Sequence, residues 1–393
     1  MALPVLFFVA LTAVGTDQTL LRKGCGAADE IVASLPAGTP VVVGFQAPGR
    51  KNCFNISANI GDKNLFGYVA ASALAGITPP AASNQYLVRS GDPAVNRAGQ
   101  LLNSSQPTQA LEILRAALDR HPRDASVLML AGLAAYRSDD APAALAYWRQ
   151  SLDLAPNEAV SAIYEDARRE IAADRSNEKI FSPHIALRYE GRALPPDMAR
   201  SVLASLEEDY SRISEQLGCS PSERIVAIVQ SREQYLRGTS AAEWSGGHYD
   251  GRIQVALPGR AETGGGDPAP HMQRALAHEL VHACLMSLPS GATPWPVWLQ
   301  EGLAQKLSGD TLQPSAREQL RQLAVKGRIP RLENLGLDWF GMPRQDAVAA
   351  YNLSLAAVDA LYDDYSGDQI RNILTNPDTL PRITADLDAQ LGL

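Results

Sequence analysis

The chain has 393 residues, 46% of them hydrophobic and 20% charged, which excludes a disordered polymer and allows two or three packed domains. A net charge of −8, with no basic run anywhere, excludes an electrostatically driven nucleic-acid partner. Four cysteines, Cys25, Cys53, Cys219 and Cys284, have spacings that fit no zinc cluster.

Leu3 to Val14 is a nearly unbroken apolar run of 12 residues, too short to cross a bilayer as a helix. With the small residues Ala13 and Gly15 placed for cleavage, the run predicts a secretory signal over 1–15, cut after Gly15. A secreted or periplasmic protein without a transmembrane span follows. No Lys or Arg precedes the run. Either the true start lies upstream, or the run is a buried strand of the first domain; the signal is the favoured reading. Cys25 follows Arg22-Lys23-Gly24, which is unlike a lipobox.

Thr19–Arg22, Ile31–Leu35, Pro40–Val43 and Gly67–Val69 are short β-rich runs between Gly/Pro turns. They predict a small all-β unit over 16–77. The order Leu-x-Arg-x-Gly, Val-x-x-Leu-x-x-Gly-Thr-x-Val-x-Val and Gly-Tyr-Val resembles bacterial SH3 domains. The resemblance implies a small barrel that takes a protein or cell-wall peptide ligand; a structural appendage is the alternative. Cys25 and Cys53 fall in this unit and are a candidate disulfide after export, one of the three pairings that four cysteines allow. Residues 78–92, rich in Pro, Ala, Ser and Asn, read as a linker.

From 93 to 175 the pattern is helical. Ala110, Leu114, Ala117 and Pro122 recur 34 residues later as Ala144, Trp148, Ser151 and Pro156. That period resembles tetratricopeptide repeats. Gly132 stands where the first helix of such a repeat carries a small residue, and Ala159 to Asp174 reads as a capping helix. The resemblance implies peptide docking; with so few repeats, a rigid spacer is an equal alternative.

An α+β domain is expected over 176–393. Its strands are His184–Tyr189, Arg224–Val229 and Gly251–Leu257. Pro196–Leu217 is a helix ending at Gly218, Ser231–Leu236 a short turn of helix, and 262–270 a Gly-rich loop able to form a rim. Then comes Ala277-His278-Glu279-Leu280-Val281-His282. On a helix, His278 and His282 share one face, so both imidazoles reach one metal. Glu279 is displaced around the helix, towards a water rather than the metal. Glu301 follows His282 after 18 residues within Trp298-Leu299-Gln300-Glu301-Gly302-Leu303-Ala304.

Two His and one Glu form a ligand set that leaves a fourth position open on zinc. Zinc lowers the pKa of its bound water from about 15.7 towards about 7. Glu279 is then the candidate base and proton shuttle. Cys284, on the same helix, reads as a buried core thiol.

His-Glu-x-x-His, the 18-residue interval and Trp-Leu-x-Glu-Gly-Leu-Ala together resemble the gluzincin zinc metallopeptidases. Within these the closer likeness is to the small bacterial peptidase MA-like domains rather than to the zinc aminopeptidases, over about the last 200 residues. The spacing equals that of zinc aminopeptidases, but their Gly-Ala-Met-Glu-Asn amine-binding motif is absent, which tilts the expectation to an endopeptidase. The resemblance implies a thermolysin-like domain in which His278, His282 and Glu301 bind Zn2+ and Glu279 is the catalytic base. It further implies an oxyanion donor: Tyr351, at the start of a helix over 347–365, with His248 as runner-up and core packing of the Tyr351 ring as the alternative. His248 otherwise reads as a loop residue, and His121, His184 and His271 as surface or capping residues. In related enzymes an edge strand beside the zinc helix pairs with an extended substrate; Gly251–Leu257 is the candidate. Trp298 is expected to pack the Glu301 helix.

The sequence therefore predicts an exported multidomain zinc metallopeptidase acting on a peptide or protein, with SH3-like, tetratricopeptide-like and gluzincin modules. The alternatives are an interaction scaffold with a vestigial metal site and a zinc hydrolase of a non-peptide bond.

Overall fold

The computed structural model describes residues 11–15, 18–26, 29–46, 53–60, 63–74, 92–175, 178–239, 245–259, 269–289, 295–325, 329–335 and 344–391. Among them are thirteen α-helices and two sheets, a mixed α/β architecture. The chain divides into two compact units. One holds residues 84–289; the other holds 7–83 and 290–393.

In the second unit, β1 (Leu11–Ala13), β2 (Thr19–Arg22), β3 (Ile31–Leu35), β4 (Pro40–Gln46), β5 (Cys53–Ile60) and β6 (Lys63–Ala70) form an antiparallel sheet of order β1-β4-β5-β6-β2-β3. Among the described residues this sheet does not close into a barrel. Its core is Val14, Leu21, Leu35, Val41, Ile56, Ala58, Val69 and Leu74. Leu11–Ala13, near the end of the N-terminal apolar run, form a strand of this sheet, and Val14 is bridged to Leu74. Residues 1–10, the greater part of the predicted signal, lie outside the described residues. Cys25 and Cys53 are disulfide-bonded.

The unit of residues 84–289 starts with five helices: α1 (Pro93–Asn103), α2 (Pro107–Arg120), α3 (Ala125–Arg137), α4 (Ala141–Leu154) and α5 (Glu158–Ala173). Asp92, Asp124, Asp140 and Asn157 cap the starts of α1, α3, α4 and α5, each satisfying backbone N–H groups that the helix cannot. The 34-residue pattern is a packing pattern: Ala110, Leu114, Ala117, Ala144 and Trp148 all lie in one core. Gly132 is needed for α3 to meet α4, since a Cβ there would stand 2.4 Å from the Trp148 ring.

The same unit continues with β7 (Glu178–Phe181), β8 (Ile185–Tyr189), α6 (Pro196–Leu217), β9 (Ile225–Gln230), α7 (Arg232–Gly238), β10 (Gly247–Tyr249), β11 (Ile253–Ala256) and α8 (Ala269–Ser287). The sheet order is β10-β11-β9-β8-β7, with β8, β9 and β11 parallel and both outer strands antiparallel. Cys284 is buried as expected, but it is no thiol: it is bonded to Cys219, just past the end of α6. Nothing in the spacing joins two cysteines 65 residues apart in sequence. The Gly-rich stretch 262–268 lies outside the described residues, and 269–270 already belong to α8.

The remaining helices of the second unit are α9 (Val297–Leu307), α10 (Pro314–Val325), α11 (Arg344–Asp364), α12 (Gly367–Thr375) and α13 (Leu380–Gln390). Trp295 is buried and donates from Nε1 to the Leu374 carbonyl at 2.9 Å. No helix among the described residues is long and apolar enough to cross a membrane.

Candidate metal centre

Helix α8 is apolar on nearly every side: Met272, Leu276, Ala277, Leu280, Val281, Ala283, Cys284 and Leu285 are buried. Only a helix held on most of its circumference carries such a sequence. His278 and His282 interrupt it on one half-exposed line, with ring centroids 5.1 Å apart. Glu279 sits beside them and is buried at 7% exposure. A carboxylate is buried only where something compensates it or uses it.

Gly247 on β10 lies against that carboxylate, since a Cβ at Gly247 would stand 3.2 Å from Glu279 Oε1. The outer strand beside α8 is therefore β10. The Gly251–Leu257 segment contributes β11, which has β10 on one side and β9 on the other, so the expected edge strand moves by one place. The sequence hid this because β10 has only three residues, one of them Gly247.

Glu301 is half-buried on α9. Its neighbour Gly302 lets α9 approach α11: a Cβ there would stand 2.4 Å from the Ser354 carbonyl oxygen. Gln305, one turn beyond Glu301, donates from Nε2 to the Glu301 carbonyl at 3.3 Å and to the Tyr351 carbonyl at 2.8 Å. The Glu-Gly-Leu-Ala segment is thus both a candidate ligand position and a helix-packing device. Trp298 is fully buried. Tyr351 is half-buried on α11, tied through its backbone to the turn that follows Glu301.

Among the described residues, one group of three His, Cys, Asp or Glu side chains comes together as metal ligands do. It is His278, His282 and Glu301, whose ligand atoms lie within 4.8 Å of one another. Two imidazoles and one carboxylate are a donor set that suits zinc.

The runner-up donor, His248, lies elsewhere. It is not in a loop: it occupies the centre of β10 and is buried at 4% exposure. Adjacent strand residues face opposite sides, so with Gly247 turned to Glu279, His248 is turned away. Its Nδ1 lies 3.2 Å from the Tyr235 hydroxyl and its Nε2 3.9 Å from Asp250 Oδ2. Burial, with Arg252 nearby, pushes the imidazole down to about 4, against a smaller upward pull from Asp250. Burial also raises the Tyr235 hydroxyl, and the charge of Glu279 adds to that. His184 pairs with Glu207 at 2.8 Å and stacks on Tyr210; His121 caps α2, and His271 is exposed.

Sequence reasoning missed a buried polar cluster around this hairpin. Arg252 has no exposed surface and lies between Asp250 and Glu170, each 3.0 Å from its Nη2. Gln254 donates to Asp250 Oδ2 at 3.0 Å, and Gln230 to Gln254 at 3.3 Å. The signal was present as alternation: His248, Asp250, Arg252 and Gln254 fall on every second residue. A polar alternate face normally means solvent; here it is covered by protein.

No family model, curated protein or solved structure matches this chain. The functional reading therefore rests on the chain's own residues.

Proposed function

We propose that the protein is a zinc-dependent peptidase, an endopeptidase of the gluzincin type. The observation that carries this reading is the His278, His282 and Glu301 group, with the buried Glu279 adjoining it in sequence and on α8. When bound, zinc supplies an acidified water and polarises the scissile carbonyl. His278 and His282 would hold it from one helix face and Glu301 would supply the third ligand. Glu279 accepts the proton of the attacking water on its carboxylate and passes it to the leaving amide nitrogen. Beside it, β10 offers backbone groups at the end of a sheet, to which an extended substrate can add as a further strand. Tyr351 is assigned to donate a hydrogen bond to the developing oxyanion.

Export is part of the proposal. Both cysteine pairs are bonded, as suits an oxidising compartment. The antiparallel sheet of residues 11–74 supports an SH3-like module, and the 34-residue register of α2 to α4 a tetratricopeptide-like one.

The test pairs metal analysis with proteolysis. Purified protein is expected to hold one zinc and to cleave unstructured peptides, while Glu279→Gln keeps the metal and loses about 100-fold or more in kcat. Protein without zinc, or Glu279→Gln with wild-type cleavage, would sink the reading.

A further inference from the structure

The β10–β11 hairpin has its two ends in different surroundings. At its open end, Gly247 stands against Glu279. At its turn, it is gripped by the helical module. Gly251 adopts φ +101°, and a Cβ there would lie 2.5 Å from Arg137 Nε on α3. Only glycine suits that conformation and that gap. The Tyr249 hydroxyl lies 3.3 Å from Ser105 Oγ, just past α1.

The charges make the grip specific. Asp250 and Arg252 flank the turn, and the Arg252 guanidinium lies 3.6 Å from the centre of the Tyr136 ring. Arg252 Nη2 donates to Asp250 and to Glu170 of α5. The Tyr136 hydroxyl donates to Glu170 and, at 3.2 Å, to Asp250 Oδ2. Arg137 in turn donates from Nη1 to the Leu102 carbonyl at 3.0 Å. Burying a guanidinium with two carboxylates is costly unless every partner is in place. Among the described residues, Arg252 Nη1 is buried without a hydrogen-bond partner, so the charge is held through Nη2 and Nε on Asp250 and Glu170, and a shift of either carboxylate leaves it uncompensated.

We propose that the helical module of residues 93–173 is the positioning device of the peptidase site: Tyr136, Arg137 and Glu170 hold the β10–β11 hairpin by Gly251, Asp250 and Arg252, and so fix where Gly247 stands relative to Glu279. The proposal rests on the peptidase reading and adds to it a role for the repeats other than docking or spacing. Tyr136, Glu170, Asp250 and Arg252 act through the strand, so they are positioning residues. The hairpin is short, with three residues in β10 and four in β11. A shift at its turn is therefore carried to its open end.

The test uses the full chain and two variants. Tyr136→Phe keeps the ring under Arg252 and removes both hydroxyl bonds. Gly251→Ala drives a methyl group into Arg137. Each is expected to retain wild-type zinc content and to lower kcat/KM on an unstructured peptide by about 10- to 100-fold, the loss that misplacement on the ångström scale produces. Amide hydrogen exchange should quicken at His248 and Asp250, the β10 and turn positions whose N–H groups face β11, while β8 and β9 keep their protection. Unchanged kinetics with unchanged exchange in β10 overturns the proposal. So does exchange that quickens equally across all of residues 84–289, which assigns the cluster to fold stability alone. A wild type that cleaves no peptide removes the peptidase reading, and the exchange measurement then decides the grip on the hairpin by itself.

Discussion

His248 shows how far a single side chain's surroundings decide its role. The residue type is right for catalysis, yet its strand position turns it from Glu279 to a closed polar cluster of Tyr235, Asp250 and Arg252. Its imidazole is held near 4, below an ordinary value of 6.5. As pH falls through this window, the unfolded chain takes up a proton that the native chain refuses. The stability tied to neutral His248 is therefore complete above about 6.5 and lost progressively down to about 4, roughly 3 kcal/mol in all. His248→Gln should flatten the pH dependence of unfolding free energy between pH 7 and 4 by that amount, read from urea midpoints. An identical slope in the variant refutes the assignment. The candidate ligands were legible in sequence because helical spacing alone puts His278 and His282 on one face. His248 was not, because alternation reports which residues share a side and not what covers that side.

Helices α9 and α11 show the same division between what a pattern reveals and what contact adds. The Trp-Leu-Gln-Glu-Gly-Leu-Ala segment marked Glu301, but the reason for glycine beside it appears only in the packing of α9 on α11. Alanine at Gly302 would gain about 1 kcal/mol of helix propensity. It would also place a methyl group 2.4 Å from the Ser354 carbonyl oxygen and 2.5 Å from Val358 Cγ2. Backbone cannot rotate aside, and overpacking of this kind costs about 1–3 kcal/mol, so the clash wins. Gly302→Ala is predicted to lower the melting temperature and weaken zinc binding, since Glu301 moves with its helix. A variant that melts at or above wild type contradicts this. Elements with strong bounds were read closely from sequence: α6 runs from Pro196 to Leu217 and stops at Gly218, which takes φ +74°. Strand β5 was passed over because Asn55, Ser57 and Asn59 are turn formers by propensity. Pairing along its whole length with β4 and β6 overrides that preference.

At the scale of the whole chain, each compact unit carries its own covalent tie. Cys25–Cys53 closes 28 residues within the first sheet, and Cys219–Cys284 closes 65 residues between the end of α6 and α8. Loop-closure entropy assigns about 3.5 kcal/mol to the shorter loop and about 4 kcal/mol to the longer one. The consequences differ more than the energies do. Cys284 lies two residues beyond His282 on the helix that carries both imidazoles, whereas Cys25 and Cys53 lie in a sheet that, among the described residues, holds no member of the candidate metal group. The double replacement Cys219→Ser with Cys284→Ser should loosen α8 and lower zinc affinity together with stability. Cys25→Ser with Cys53→Ser should lower the stability of its own sheet and leave zinc affinity at the wild-type value. Competitive chelator titration measures the affinity, and urea unfolding followed by hydrogen exchange of peptides from each segment measures the stability. Equal loss of zinc affinity in the two double variants would show that neither disulfide acts on the metal helix in particular. Loss confined to the Cys219–Cys284 pair makes that bond the covalent support of α8, a role that no spacing of four cysteines could announce.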